Sequence, residues 1–248
     1  MNELSLFTGG LGGVLATHCL MGWRQIGYVE IDKYCQKIIA QRIKDGLIPE
    51  APIFGDIRAF INDGFAASYS GMVDVITAGF PCQPFSVAGK QLGENDPRNL
   101  WPETIECIRI IRPHYAFMEN VPGLLAHPYA RRIFGDLAES GYDVRWCVLS
   151  AAEVGAPHKR DRVFIFIADA NREWRQRDFQ KKIFWKSALP WGENIRSLTD
   201  LLSRPAIPVP LIRRMADGGS GSMAIHKALG NGQVPRVVAT AWELLAND

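Results

Sequence analysis

The sequence predicts a doubly wound α/β sheet, and three observations predict it. Short apolar runs recur along the chain, amphipathic stretches separate them, and glycine or proline marks most junctions. At 248 residues the chain fits one ordinary domain with room for a small insertion.

The elements follow in order. The first strand, LSLF at 4–7, runs into the glycine-rich turn FTGGLGG and then the helical stretch VLATHCLMGW. The second, IGYVEID at 26–32, precedes KYCQKIIAQRIKDG, an amphipathic helix that Gly46 terminates. A third short strand leads into FGDIR, around Asp56. MVDVITAGF at 72–80 is nearly continuous in apolar residues, as a strand covered on both faces requires. WPETIECIRIIRP reads as a helix stopped before Pro113, and YAFMENV at 115–121 as the next strand. ARRIFGDLAESG is a helix closed by Gly141, and VRWCVLS and RVFIFIA are two further strands. From about Asp169 to Ser203 neither the strand nor the helix period holds, which marks an insertion with its own small fold. RPAIPVP is an extended connector, and PRVVATAWELLAN returns to helix with Pro235 at its start.

Composition narrows the class. The hydrophobic share of 47% supports a core, and no stretch has the long uncharged run of a membrane span. MNELSLF carries an acid and no basic flank, unlike a signal peptide. Five cysteines, without a C-x-x-C pair, point to a reducing compartment rather than a disulfide framework. The expectation is a soluble cytoplasmic protein. Net charge is only +2, but Lys159 to Arg214 hold 13 Lys/Arg against 6 Asp/Glu, while the remainder holds 15 against 20. A basic segment on a mildly acidic body suits a polyanion approached from one side, although a solvated basic loop would look the same.

Three sets of residues carry chemistry. Glycines in FTGGLGG let the backbone approach a nucleotide-like ligand, and the following helix start offers free N–H groups. Glu30, about 20 residues on at the end of the second strand, is placed to accept ribose hydroxyls. That pairing fits NAD, FAD or S-adenosylmethionine alike. Asp56 adds a carboxylate near the same edge, where alone it reads as a turn residue. In ITAGFPCQPFSVAGK, Cys82 follows a central strand and is made rigid by Pro81 and Pro84, the placement of a nucleophile. Cys19, Cys35, Cys107 and Cys147 fall inside helices or strands and read as small buried hydrophobes. MENVP repeats the arrangement of Cys82 with an acid, putting Glu119 at the same sheet edge one strand away. HKRDRVFI supplies Arg160 and Arg162, alternate residues that face one side and suit carbonyl or phosphate oxygens.

Together FTGGLGG, VEID, GDIR, GFPCQPFSVAGK, ENVPGLL, HKRDR and ALGNGQVP, in this order, resemble the DNA cytosine-5 methyltransferase family. The matches run from Leu4 to about Leu245, with the 169–203 insertion unmatched. The resemblance implies a Rossmann-like, S-adenosylmethionine-dependent methyltransferase sheet. It implies catalytic and cofactor-binding residues in 1–168, a short target-recognition insertion at 169–204, and a C-terminal segment, 205–248, returning to the catalytic domain. Cys82 would add to carbon 6 of a flipped-out cytosine, Glu119 would bind or protonate ring nitrogen 3, and Arg162, with Arg160 assisting, would steady the base's carbonyl oxygen. Phe7, Gly9, Gly10, Gly12, Glu30, Ile31, Asp56, Ile57, Pro81 and Leu100 would line the cofactor site, and Asn231 would complete it. The implied partner is double-stranded DNA, bound by a monomer without a metal, in a prokaryotic or phage restriction–modification setting.

Two positions depart from the family pattern. Leu11 stands where the family usually has glycine, and leucine resists positive φ, which predicts a shifted loop path or weakened cofactor binding. His158 stands where glutamine is favoured, a change that would tune the arginine strand rather than the chemistry. Three other readings compete. A dehydrogenase leaves Cys82 and Glu119 without a role. A silent DNA-binding homologue has no need of Cys82, Glu119 and Arg162 together. An RNA-directed cytosine-5 methyltransferase on the same scaffold stays open.

Overall fold

The structure is a computed structural model that describes residues 1–81, 98–156, 158–171 and 232–247. Its centre is a seven-stranded sheet in the order β3-β2-β1-β4-β5-β7-β6. The strands are β1 (Asn2–Leu6), β2 (Arg24–Val29), β3 (Ile53–Phe54), β4 (Val75–Ala78), β5 (Tyr115–Asn120), β6 (Tyr142–Ser150) and β7 (Asp161–Asp169). The first five are parallel, whereas β7 runs antiparallel to both β5 and β6. Strand order reverses between β1 and β4, so the chain leaves a crevice at the carboxyl ends of those two strands, where open α/β sheets bind ligands.

The helices cover both faces, as the parallel strands require. One face carries α3 (Ile57–Asn62), α4 (Phe65–Ser68), α5 (Trp101–Ile111), α6 (Gly123–Ala126) and α7 (Ala130–Glu139), whereas α2 (Lys33–Lys44) packs through Ile39 on Tyr28 of β2 on the other side. On the first face Leu4, Leu6, Ile76, Ala78, Ala116, Met118, Ile165 and Ile167 form a continuous core with Trp101, Ile108 and Ile133. Asp32 and Asp56 start α2 and α3 in the ordinary way, each accepting backbone N–H groups of the first turn. Trp101 is fully buried, and its indole N–H donates to Asp136 at 2.7 Å, which fixes the start of α5 against α7.

The opposite face is covered by α2 together with the chain's first and last described helices. These are α1, Gly12–Val14 continuing as a π-helical turn over Leu15–Leu20, and α8, Pro235–Asn247. Strand alternation sends Tyr115 and Phe117 of β5 and Phe164 and Phe166 of β7 to this side. Trp242 of α8 meets Trp23, Phe117 and Phe166 at ring separations of 4.6, 5.2 and 4.9 Å. Edge-on contacts of this kind contribute about 0.5–1.5 kcal/mol each beyond area burial, so α8 is firmly seated. Toward β1 and β4 the same face turns polar, with Glu3, Ser5 and Thr77 in place of aromatic rings. Among the described residues no helix is long and apolar enough to cross a membrane.

Candidate active site

The glycine turn leaves β1 through three left-handed residues, Phe7 at φ 53°, Gly9 at 59° and Leu11 at 75°. The expectation that Leu11 resists positive φ is therefore corrected, because it adopts the left-handed conformation itself. The reason is burial. Leu11 is only 3% exposed and packs with Val14, Tyr28, Ile39 and Ile48, and burying such a side chain contributes about 1.5–3 kcal/mol, enough to offset a backbone cost of about 1–2 kcal/mol. The loop is also tied from below. Glu30 accepts the Gly9 N–H at 2.6 Å through one oxygen and the Asp32 N–H at 2.7 Å through the other.

Gly12 and Gly13 are glycines for a different reason. Neither has positive φ, but a Cβ on Gly12 would lie 2.2 Å from the Gln233 carbonyl oxygen, and one on Gly13 2.7 Å from Gln233 Oε1. The close neighbour is the segment entering α8. Together these residues line a pocket of about 580 Å³, its open mouth included, with Thr77, Gly79, Phe117, Glu119 and Phe164 on the strand side.

Glu119 ends β5 at this pocket. Its Oε1 receives the Arg162 Nε at 2.8 Å across the antiparallel β5–β7 pair. Burial pushes its carboxyl above the ordinary value of 4.5, against the opposing pull of Arg162, Arg160 and a hydrogen bond from Gln233. The carboxyl thus holds a proton more readily than an exposed glutamate while two guanidinium groups face it. Arg160 reaches across to donate to the Gly232 carbonyl at 2.9 Å. Arg160 and Arg162 do share a side, as their alternation predicts. Asn120 secures the neighbouring strand end, its amide donating to the Phe80 carbonyl at 3.2 Å.

The other predicted residues divide into groups. Phe7, Gly9, Gly10 and Gly12 line the pocket. Glu30, Ile31, Asp56 and Ile57 gather where β2 and β3 end, joined by the Glu30 N–H to the Phe54 carbonyl at 3.0 Å. There Ile31 stands 63% exposed, Ile57 is buried, and Asp56 caps α3. Pro81 follows β4, and Leu100 precedes α5 and packs on the core. Cys82, Asn231 and the basic segment beyond Asn171 lie outside the described residues. Of the remaining cysteines, Cys35 and Cys107 are buried as expected and Cys147 is partly so, but Cys19 is exposed, because the π-helical turn carries it to the outer side. Burial pushes the thiols of Cys107 and Cys147 up to about 12 and about 11, away from nucleophilic use.

Residues 1–216 match the family model for C-5 cytosine-specific DNA methylases. The chain belongs to that family. Within it, the chain is 36% identical over 166 residues to the type II methyltransferase M.NgoMIV of Neisseria gonorrhoeae, covering 65% of this chain and 50% of that protein. It is 31% identical over 229 residues to M.DsaV of Dactylococcopsis salina, covering 90% and 60%. It therefore spans between half and three-fifths of the length of these relatives. The Dnmt2 methyltransferase of S. pombe shares the fold at a TM-score of 0.57 and 22% identity, covering 78% of this chain and 58% of its own.

For a member of this family, sequence reasoning missed the floor and one wall of the pocket. Thr17, Thr77 and Phe164 line it from strands and a helix that read as core. Gln233 lies inside the quoted ALGNGQVP motif, where a polar residue between glycine and Val-Pro was the available signal.

Proposed function

We propose that the protein transfers a methyl group from S-adenosylmethionine to carbon 5 of cytosine in double-stranded DNA. The observation that carries this reading is Glu119, a buried carboxyl with a raised proton affinity that faces Arg162 inside the pocket closed by the glycine loop. The residues present fit the cofactor. The Gly9–Gly13 backbone and the Glu30 carboxylate suit its polar groups, and exposed Ile31 offers an apolar surface for its flat base. When bound, the cofactor supplies an electrophilic methyl group.

The chain's own residues supply the rest. The Cys82 thiolate forms a bond to carbon 6 of a cytosine turned out of the helix, and the displaced electron pair moves through the ring toward nitrogen 3. Glu119 delivers its proton there, leaving carbon 5 nucleophilic. Arg162 holds the Glu119 carboxyl and compensates its charge once the proton has gone. After carbon 5 is methylated, its proton is lost to a base, the sulfur–carbon bond breaks and Cys82 is restored as thiolate, while the nitrogen 3 proton returns to Glu119. The basic segment from Lys159 to Arg214 supplies phosphate contacts.

The test is a trap. With fluorine at carbon 5 the last elimination is blocked, so the protein stays joined to DNA on a denaturing gel, dependent on S-adenosylmethionine. Cys82→Ala abolishes the adduct, and alanine at the other four cysteines leaves it. An adduct mapped elsewhere, or one formed on 5-fluorocytosine RNA and not on DNA, would overturn the proposal.

A further inference from the structure

Gln233 stands two residues before α8 and touches three parts of the site at once. Its backbone fills the space denied to a Cβ on Gly12, and its Oε1 fills that beside Gly13. Its Nε2 lies 3.0 Å from the position of a Cβ on Gly79, and Glu119 Oε2 lies 3.4 Å from the same point. The amide therefore spans the pocket, its oxygen end on the glycine loop and its N–H end hydrogen-bonded to the Glu119 carboxyl. Arg160 fixes the segment from the β7 side through the Gly232 carbonyl. Such a residue cannot shift without disturbing either the loop or the acid. The two glycines that exclude a side chain at the loop do so around it.

We propose that Gln233 is a positioning residue for Glu119 and that it couples the acid mechanically to the glycine loop. The use of this coupling in methyl transfer rests on the reading of Glu119 as proton donor. The groups that set the proton affinity of Glu119 are then Arg162 of β7, Arg160 just before it, and the Gln233 amide from the segment before α8. An amide N–H stabilises the ionised carboxylate, so its position tunes how firmly the proton is held. A ligand that moves the loop moves the amide, and through it the acid.

The experiment reads the carboxyl directly. In the full chain carrying carboxyl-¹³C glutamate, the Glu119 resonance is assigned by its loss in Glu119→Gln and followed against pH. Gln233→Met keeps the shape but removes the donor, so the midpoint moves upward. Gln233→Glu is isosteric and adds a like charge, so the midpoint moves upward further. Adding S-adenosylhomocysteine shifts the midpoint in the wild-type chain and by less in Gln233→Met. The alkaline limb of kcat moves with the midpoint, while KM for DNA is unchanged. A role confined to folding would lower melting temperature without moving the midpoint. Unmoved midpoints in both variants overturn the positioning role, and equal shifts on adding S-adenosylhomocysteine overturn the coupling. If the midpoints move but the wild-type chain methylates nothing, the functional reading fails and the Gln233–Glu119 link stands.

Discussion

Glu3 and Glu119 are both strand carboxyls on the α8 side of the sheet, Glu3 fully buried and Glu119 largely so, yet they are built for opposite ends. Glu3, on β1, sits under the pocket floor held by neutral hydrogen-bond donors, the Gln25 amide at 2.6 Å, the Thr77 hydroxyl at 2.5 Å and Thr17, with only a weaker electrostatic pull from His18. Burial pushes its proton affinity up, and the hydrogen bonds oppose this without reversing it. Glu119, at the end of β5, feels the same burial but faces two guanidinium groups and an amide. Burial among neutral hydrogen-bond donors, with no guanidinium facing it, makes Glu3 a structural knot that ties β1, β2, β4 and α1 together. Burial opposed by positive charge makes one whose proton can leave during a reaction.

The contrast can be broken most forcefully at Glu119, the proposed proton donor. Glu119→Gln keeps the shape and a hydrogen-bonding partner for Arg162 but cannot deliver the proton, so single-turnover methyl transfer falls about 10²–10⁴-fold. Its melting temperature stays near that of the wild type, and a variant with undiminished rate would make Glu119 a second knot.

Glu30 is an intermediate case, because both of its oxygens serve backbone N–H groups at the loop. Glu30→Ala frees the Gly9 N–H and weakens S-adenosylmethionine binding by about 1–3 kcal/mol in a calorimetric titration, while DNA affinity without cofactor holds. An unaltered cofactor isotherm removes Glu30 from the site.

The smallest effect sharpens the contrast most. If Glu3 is protonated in the fold, Glu3→Gln changes stability by less than about 1 kcal/mol at acidic pH in denaturant melts. Its folded value is raised, so its contribution is full below the ordinary 4.5 and is lost as pH rises through the folded value. The variant lacks that loss and gains on the wild type toward neutral pH, with Glu119 leaving a residual slope of the same sign. A variant that loses ground as pH rises would mean that Glu3 is ionised in the fold.

Most of the sheet was legible because periodicity and punctuation agree along it. Each strand from β1 to β5 ends at glycine, proline or an acid close to the expected place, and Gly46 and Gly141 take the left-handed conformations their stop positions require. The reversed direction of β7 was not legible, since RVFIFIA is apolar enough for a parallel or an antiparallel strand, and direction is set by its pairing with β5 and β6. In the site, Glu119, Arg162 and the glycine loop could be read because each is a polar or flexible interruption at a strand end. Glu3 could not, since a carboxyl in NELSL looks like a solvated strand start until Gln25 and Thr77 are seen to enclose it. Leu11 misled for a related reason. Its side chain reaches a small core of residues 14, 28, 39 and 48, distant enough in sequence that no local pattern shows the compensation.

The junction of Gly12 with Gln233 also has a consequence in time. The two residues are about 220 positions apart, and a ribosome adding roughly 5–20 residues per second needs roughly 10–45 s to travel between them. Throughout that interval the nascent chain has its glycine loop and Thr17 but neither the Gln233 wall nor the helix that seats it. Completion of the pocket therefore waits until the Gln233 segment has been made, and a polypeptide released before then carries the loop without the partner that shapes it.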